Sequence, residues 1–239
     1  QKISKAEANQ RMGRAGRLSP GVCYKLWSKA QDGSFPDFAP SEIEISDLTS
    51  FALELALWGS NINDLALLTR PNEKSLSEAY KVLQMLGAVN EKLQITKRGR
   101  LLSKMPLHPR LATIILAGGK DATLLTSLLS NADPIKNKNN SDVNARIAAI
   151  KSYRKQKSDS SYSLNVPIIK GIMKEISSLS KHLTNQSDYT VAQLAALAYP
   201  DRIGKRRKGE IPRYILSNGK GAIMAESDPL RSTPFLVAC

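Results

Sequence analysis

The sequence predicts a mainly α-helical chain of several domains that closes on a β-rich segment, and three observations carry this expectation. Between Ser46 and Tyr199, apolar residues recur at three- and four-residue spacing in stretches separated by Gly, Pro and Asp breakers. After Pro200 the pattern changes to short apolar runs divided by Asn218-Gly219 and Asp228-Pro229, which suits β-hairpins. At 239 residues the chain exceeds a typical domain of about 100 to 150 residues, and its 41% hydrophobic content suits packed cores.

Four zones follow in order. Residues 1–39 open with a polar, helix-compatible segment bearing Arg11, Arg14 and Arg17, and then alternate Val22, Tyr24 and Leu26 as a strand would. Phe35-Pro36-Asp37-Phe38-Ala39-Pro40 is a breaker-rich connector, because proline fixes its own φ and biases its neighbour towards extended backbone; a boundary is expected there.

Residues 40–106 should hold one helix starting behind a Ser46 or Asp47 cap and stopping at Trp58-Gly59. A second should run over Ser75–Leu86, burying Leu76, Ala79, Val82, Leu83 and Leu86 and stopping at Gly87. Two short strands around the turn Asn90-Glu91-Lys92 complete a helix, helix, hairpin order, which is that of a winged helix. Trp58 is expected in the core, with Trp27 and Tyr24, since large aromatic side chains are usually buried.

Residues 107–199 carry five amphipathic stretches, Leu111–Gly118, Ala122–Asn131, Asn144–Lys155, Ile168–Leu183 and Val191–Tyr199, with a polar break at Ser158–Ser163. A helical bundle is their natural packing. His108 has no carboxylate, Ser or Cys at a spacing useful for catalysis, and His182 suits a helix end, so both read as structural. Residues 200–239 combine the Lys205-Arg206-Arg207-Lys208 cluster with the strand-like runs Tyr214–Leu216, Ala222–Met224 and Phe235–Val237, and the chain ends inside that sheet, so this domain reads as incomplete. With Arg213 and Lys220, the cluster is either a phosphate-tracking surface or a solvated loop.

A formal net charge of +14 and a pI near 9.8 favour a polyanionic partner, nucleic acid above all, captured through counterion release. No run approaches the roughly 20 apolar residues a membrane span needs. Cys23 and Cys239 stand far apart with no ligand spacing, so no metal site is expected and isolated thiols suit a reducing, cytoplasmic setting. Gln1-Lys2-Ile3-Ser4 has no initiator Met and no signal-peptide pattern, and reads as an internal boundary of a longer chain.

Most chemistry is concentrated in Gln10-Arg11-Met12-Gly13-Arg14-Ala15-Gly16-Arg17. Two arginines three residues apart on one helical face can meet the charge that develops on a transferred γ-phosphoryl group, while Gly13 and Gly16 leave that face open. Gln10, about two turns from Arg17, is placed to orient a water.

This stretch resembles the Q-x-x-G-R-x-G-R motif of DEAH-box helicases, followed as in that family by Pro20-Gly21-Val22-Cys23-Tyr24-Lys25-Leu26-Trp27. Leu86-Gly87-Ala88, Leu93-x-Ile95-Thr96-x-x-Gly99 and Met105-Pro106-Leu107-His108-Pro109-Arg110 resemble the winged-helix end and ratchet start of the same family. Ala196–Ile203, Arg213-Tyr-x-Leu-x-Asn-Gly-x-Gly-Ala222 and Asp228-Pro229-Leu230 narrow the resemblance to the HrpB type, across essentially the whole chain.

The resemblance implies the end of a second RecA-like α/β motor domain (1–39), a winged helix (40–106), a helical-bundle ratchet (107–199) and the start of an OB-like β domain (200–239). It also implies that Gln10, Gly13, Arg14 and Arg17 meet the phosphates of ATP, with Arg17 as the arginine finger. ATP and Mg2+ would be used in a full-length helicase whose first motor domain supplies the Walker-type loop and acidic motif absent from these residues, so this piece alone should be inactive. A single nucleic-acid strand, RNA before DNA, is the implied partner. The alternative is a non-catalytic winged-helix nucleic-acid-binding module. It would have no use for Gln10, Arg14 and Arg17, and its helix Ser75–Leu86 would offer only Lys81 and Gln84 to base edges.

Overall fold

The structure, a computed structural model, describes residues 3–136, 140–155, 162–183 and 186–239. The chain divides into two compact units, Gln1–Asp47 with Ala66–Glu73, and Leu48–Leu65 with Lys74–Cys239.

The first unit carries three helices, α1 (Lys5–Arg14), α2 (Lys29–Gly33) and α3 (Glu42–Ile45). Each begins at a serine answered three residues later by Glu or Gln, which satisfies backbone donors that a helix start leaves orphaned. At α1, Glu7 Oε2 accepts from Ser4 N at 2.8 Å while Ser4 Oγ accepts from Glu7 N at 3.2 Å. Hydrogen bonds from the Ser4 backbone and hydroxyl, helped by the Arg11 charge, hold the Glu7 carboxyl below its ordinary range. The connector pins the same end, since Lys5 N and Ala6 N donate to the carbonyls of Pro36 and Asp37 at 2.9 and 3.0 Å. Trp27 is half-buried, donating to Asp32 Oδ1 at 2.8 Å with its ring edge-on to Phe35.

The strand expected at Val22–Leu26 does not form. Val22, Tyr24 and Leu26 are exposed, and no described strand of this unit runs alongside to complete a ladder, without which an alternating pattern has nothing to pair with.

In the second unit, α4 (Thr49–Trp58) buries Ala52, Leu53, Leu55 and Ala56 and stops at Gly59, whose φ of 71° lies where side chains are disfavoured. Its N-cap is Leu48 rather than Ser46 or Asp47, because Ser46 already closes α3. Trp58, expected in the core, is 65% exposed: it occupies the last position of α4, beside the outward turn at Gly59. Helix α5 (Glu73–Met85) buries Ala79, Val82 and Leu83 and ends at Gly87 (φ 69°) as its spacing implies.

The hairpin that follows is reduced to a single bridge, Val89 to Ile95, around a turn in which Asn90 Oδ1 accepts from Lys92 N and Gln94 N at 3.0 and 2.9 Å. Thr96 then caps α6 (Lys97–Ser103), accepting from Gly99 N at 2.9 Å. A side chain at position 99 would strike the Ala88 carbonyl, which explains the glycine three residues after the threonine. Helix α6 was not expected from the sequence, because only Gly99 and Leu102 of it are buried and its basic residues mask its period.

Five helices form the bundle: α7 (Pro109–Ala117), α8 (Ala122–Ser130), α9 (Val143–Arg154), α10 (Val166–Leu179) and α11 (Val191–Ala198). Their bounds match the five amphipathic stretches to within a few residues, while the polar break at Ser158–Ser163 lies largely outside the described residues. Helix α8 is central: Leu125 packs with Leu111, Ile114, Leu194 and Ala198, while Leu124 and Leu128 face Ile147, Ile150, Ile169 and Ile172. No helix among the described residues is long and apolar enough to cross a membrane.

The chain closes with an antiparallel sheet in the order β3-β2-β1-β4, built from β1 (Ile203–Arg206), β2 (Arg213–Leu216), β3 (Gly221–Ile223) and β4 (Phe235–Val237). Strand β1 takes in Lys205 and Arg206, which the sequence presents as part of a charge cluster. Tyr214 is fully buried, with its hydroxyl 3.1–3.3 Å from the carbonyls of Leu230, Arg231 and Thr233.

Two buried acids tie this sheet to the bundle. Arg110, on the first turn of α7, donates through its two terminal nitrogens to both oxygens of Asp201 at 2.6 and 2.9 Å and also to the Ala198 carbonyl at 3.0 Å. Asp228 accepts from Ser141 N at 2.7 Å, just before α9, and from Leu230 N at 2.8 Å. Burial alone would raise both carboxyls. For Asp201 the hydrogen bonds and charge of Arg110 prevail, for Asp228 the amides of Leu230 and Ser141 prevail, and both stay below the ordinary carboxylate range.

Removing one partner of the buried pair strands the other charge, so Arg110→Ala or Asp201→Ala should cost about 3–5 kcal/mol in urea unfolding. Because the folded pKa values are depressed, the contributions of Asp201 and Asp228 are complete above the unfolded carboxylate value of about 3.9 and fade as pH falls below it. A pH series of unfolding midpoints should therefore decline on the acid side, and Asp201→Asn should flatten that decline.

Candidate functional site

The Gln10–Arg17 stretch straddles a helix end. Gln10 and Arg14 lie on α1, four residues apart and so on one face, while the helix closes at the Ala15 cap and Arg17 follows in the turn beyond. The expectation that Arg14 and Arg17 share a helical face is therefore corrected: Gly16 and the return of the chain at Gly21 end the helix between them. A side chain at Gly21 would strike the Ala15 carbonyl, so the glycine lets Pro20–Val22 fold back against the end of α1.

Gln10, Arg14 and Arg17 are exposed, and among the described residues none bonds or ion-pairs with their side chains. Gly13 and Gly16 face open space. The arrangement presents two uncompensated guanidiniums beside an open backbone, at a helix C-terminus where positive charge is favoured. It suits the phosphate oxygens of a nucleotide. Among the described residues no group of three or more His, Cys, Asp or Glu side chains converges as metal ligands would.

The six basic residues singled out after Pro200 do not act as one patch. Residues paired across an antiparallel sheet project from the same face. The register sets Lys205 beside Ile215 and Phe235, and Arg213 beside Ile223, on one face. Arg207, two residues beyond Lys205 and bonded through its N–H to the Arg213 carbonyl at 2.8 Å, continues that face. Arg206 pairs with Tyr214 on the opposite face, where its guanidinium donates to the carbonyls of Arg231 and Gly209 at 3.0 and 3.2 Å. That is a structural role. Lys220 lies across from Leu216, also on the far side, and Lys208 extends the loop after β1.

His108 serves as N-cap of α7, its Nδ1 accepting from Arg110 N at 3.3 Å, in keeping with a structural reading. The ion pair of Arg110 and Asp201 went unrecognised in the sequence. Its signal was present in the resemblance alone: the run ending at Arg110 and the run containing Asp201 are separate motifs that the fold joins.

A family profile described as "Helicase associated domain (HA2), winged-helix" matches residues 79–107. The ATP-dependent RNA helicase HrpB of Escherichia coli (strain K12) is 31% identical over 244 aligned positions, taking in 100% of this chain and 28% of that protein. The probable ATP-dependent RNA helicase DHR1 of Saccharomyces cerevisiae is 39% identical over 142 positions, taking in 56% of this chain and 11% of that protein. Among solved structures, the Escherichia coli DEAH/RHA helicase HrpB superposes with a TM-score of 0.77 at 30% identity, over 100% of this chain and 29% of that one. A second crystal structure, of the Escherichia coli DExH-box NTPase HrpB, gives 0.74 at 29% identity, over 100% of this chain and 28% of that one. The chain thus spans well under a third of the length of these relatives.

Proposed function

The chain belongs with the HrpB-type DEAH-box helicases, corresponding to their C-terminal portion, and from that premise we propose that it supplies the nucleotide-sensing arginines and a single-strand path to an ATP-dependent RNA helicase. The observation that carries this reading is the exposed, unengaged set Gln10, Arg14 and Arg17 beside two open glycines. An arginine that served folding would be bonded, as Arg110 and Arg206 are.

In the full-length protein a first motor domain would hold ATP with Mg2+, which would supply the phosphoryl group. Arg17 would then place its guanidinium against the γ-phosphate, Arg14 would reinforce the positive field and Gln10 would orient water. Residues 1–39 act as the end of the second motor domain, 40–106 as a winged helix, 107–199 as a ratchet and 200–239 as the start of an OB-like domain. The profile match within 79–107 supports the second of these assignments. RNA in the cytoplasm is the proposed partner, in keeping with the names of the relatives and the +14 charge.

In the full-length enzyme, Arg17→Ala should lower ATP turnover about a thousandfold or more while leaving RNA affinity and thermal stability near wild type; unchanged turnover would remove Arg17 from the site. The chain by itself should show no magnesium-dependent ATP hydrolysis. For the strand path, neutralising Lys205, Arg207 and Arg213 should flatten the slope of log affinity against log salt by about 0.7 per lost contact. Arg206→Gln should instead lower stability and leave the slope unaltered, which a titration at several salt concentrations beside an unfolding curve separates.

A further inference from the structure

Helix α1 carries the arginines at one end, and the fold takes hold of it at the other. Ser4, its N-cap, is fully buried. The first amides of the helix are each engaged: Lys5 N and Ala6 N donate to the carbonyls of Pro36 and Asp37 at 2.9 and 3.0 Å, and Glu7 N donates to Ser4 Oγ at 3.2 Å. Glu7 Oε2 closes the box by accepting from Ser4 N at 2.8 Å and from Ser4 Oγ at 3.0 Å. Lys5 Nζ adds an ion pair with Asp37 Oδ1 at 2.9 Å, which is exposed and so contributes little. With these N–H groups taken up, the helix start has little to offer an anion, unlike helix starts that bind phosphate. Its task is anchorage.

The distance from anchor to arginines turns a small loss of hold into a large displacement. Arg14 lies ten residues beyond Ser4, about 15 Å along the axis at about 1.5 Å per residue. A tilt of about 4° at the anchored end therefore moves Arg14 by about 1 Å, and an error of that size in a reacting group costs up to about a hundredfold in rate. Arg17 is carried by the same helix end.

We propose that Glu7 is a positioning residue for phosphoryl transfer: by closing the Ser4 box it holds α1 on the Pro36–Asp37 connector at the angle that brings Arg14 and Arg17 to the γ-phosphate. The inference rests on the role proposed above for those arginines and adds the residue on which their reach depends. Glu7 acts through the arginines rather than on the nucleotide. The chain itself shows which change Glu7 should tolerate. In α2 and α11 the same place in the box is held by Gln31 and Gln193, whose Oε1 atoms accept the corresponding bonds from Ser28 N and Thr190 N at 2.9 and 2.8 Å. An amide can therefore replace the carboxylate.

The test is single-turnover ATP hydrolysis by the full-length enzyme with RNA and magnesium, at varied ATP concentration, for Glu7→Ala, Glu7→Gln and Lys5→Pro. Each is also measured with Arg14→Ala and Arg17→Ala together. Lys5 is the first residue of α1, a place where proline is accepted, as Pro109 is in α7, and the extended Ser4 suits a following proline. The ring keeps the helix and removes the donor to the Pro36 carbonyl. The expected maximal rate is about tenfold or more below wild type in Glu7→Ala and Lys5→Pro, with half-saturating ATP within about twofold. Glu7→Gln should match the wild type. With both arginines already replaced, Glu7→Ala and Lys5→Pro should bring no further loss, because effects exerted through the same groups do not add. A loss through general unfolding would repeat itself in that background. Wild-type rates in Glu7→Ala and Lys5→Pro, a Glu7→Gln variant as slow as Glu7→Ala, or a repeated loss beneath the arginine substitutions each overturn the positioning role. A wild-type rate with both arginines replaced overturns the proposed function itself, and the positioning role with it.

Discussion

The bidentate pair between Arg110 and Asp201 is the constraint on which the second unit depends. Each charge has been taken out of water, a loss of hydration amounting to several kcal/mol per ion, which the pair offsets through fork geometry and a further bond from Arg110 to the Ala198 carbonyl. The stacked ring of Tyr199, 5.0 Å from the guanidinium, seals the site. Arg110 begins α7, Ala198 ends α11 and Asp201 leads into β1, so one guanidinium fixes the start of the bundle, its last helix and the entry to the sheet. Asp228 performs the matching task at the far loop, holding the residues before α9. The three short motifs that narrow the resemblance to the HrpB type each contribute to this docking: Ala196–Ile203 supplies Ala198 and Asp201, Arg213–Ala222 supplies the buried Tyr214, and Asp228-Pro229-Leu230 supplies the second acid. The types of Ala198, Asp201, Tyr214 and Asp228 follow from burial and hydrogen bonding.

Where burial alone decides an element, the sequence announces it. Helices α7 to α11 are legible because each must cover an apolar stripe, and Gly59 and Gly87 mark helix ends because only glycine takes their positive φ without strain. The elements that escaped are those whose reason lies outside their own residues. Helix α6 buries two residues among basic neighbours, held by the Thr96 cap and the approach of Gly99 to Ala88. Strand β1 hides within a charge cluster because Lys205 and Arg206 project from opposite faces and only the register reveals it. In the other direction, Val22, Tyr24 and Leu26 alternate convincingly yet stay exposed, since alternation specifies a face and not a partner.

The candidate sites divide in the same way. Gln10, Arg14 and Arg17 are visible as a motif, and the structure adds that among the described residues none engages their side chains and that the helix ends before Arg17. The basic cluster was visible only as composition. Its separation into an open face carrying Lys205, Arg207 and Arg213 and a packed face carrying Arg206 depends on strand pairing across four strands, which no local pattern contains. Phe235 follows the same logic: the apolar run marks it as strand, and its pairing with Lys205 across β1 shows which face it takes.

The buried charge pair of Arg110 and Asp201 fastens the sheet to the bundle. Hydrogen exchange of the Asp201→Asn variant tests this most directly, because the substitution preserves shape while removing the charge. The expected result is faster exchange in β1, β4 and the first turn of α7 together, with α9 and α10 protected as in the wild type. Unaltered protection of β1 and β4 in that variant would contradict the account.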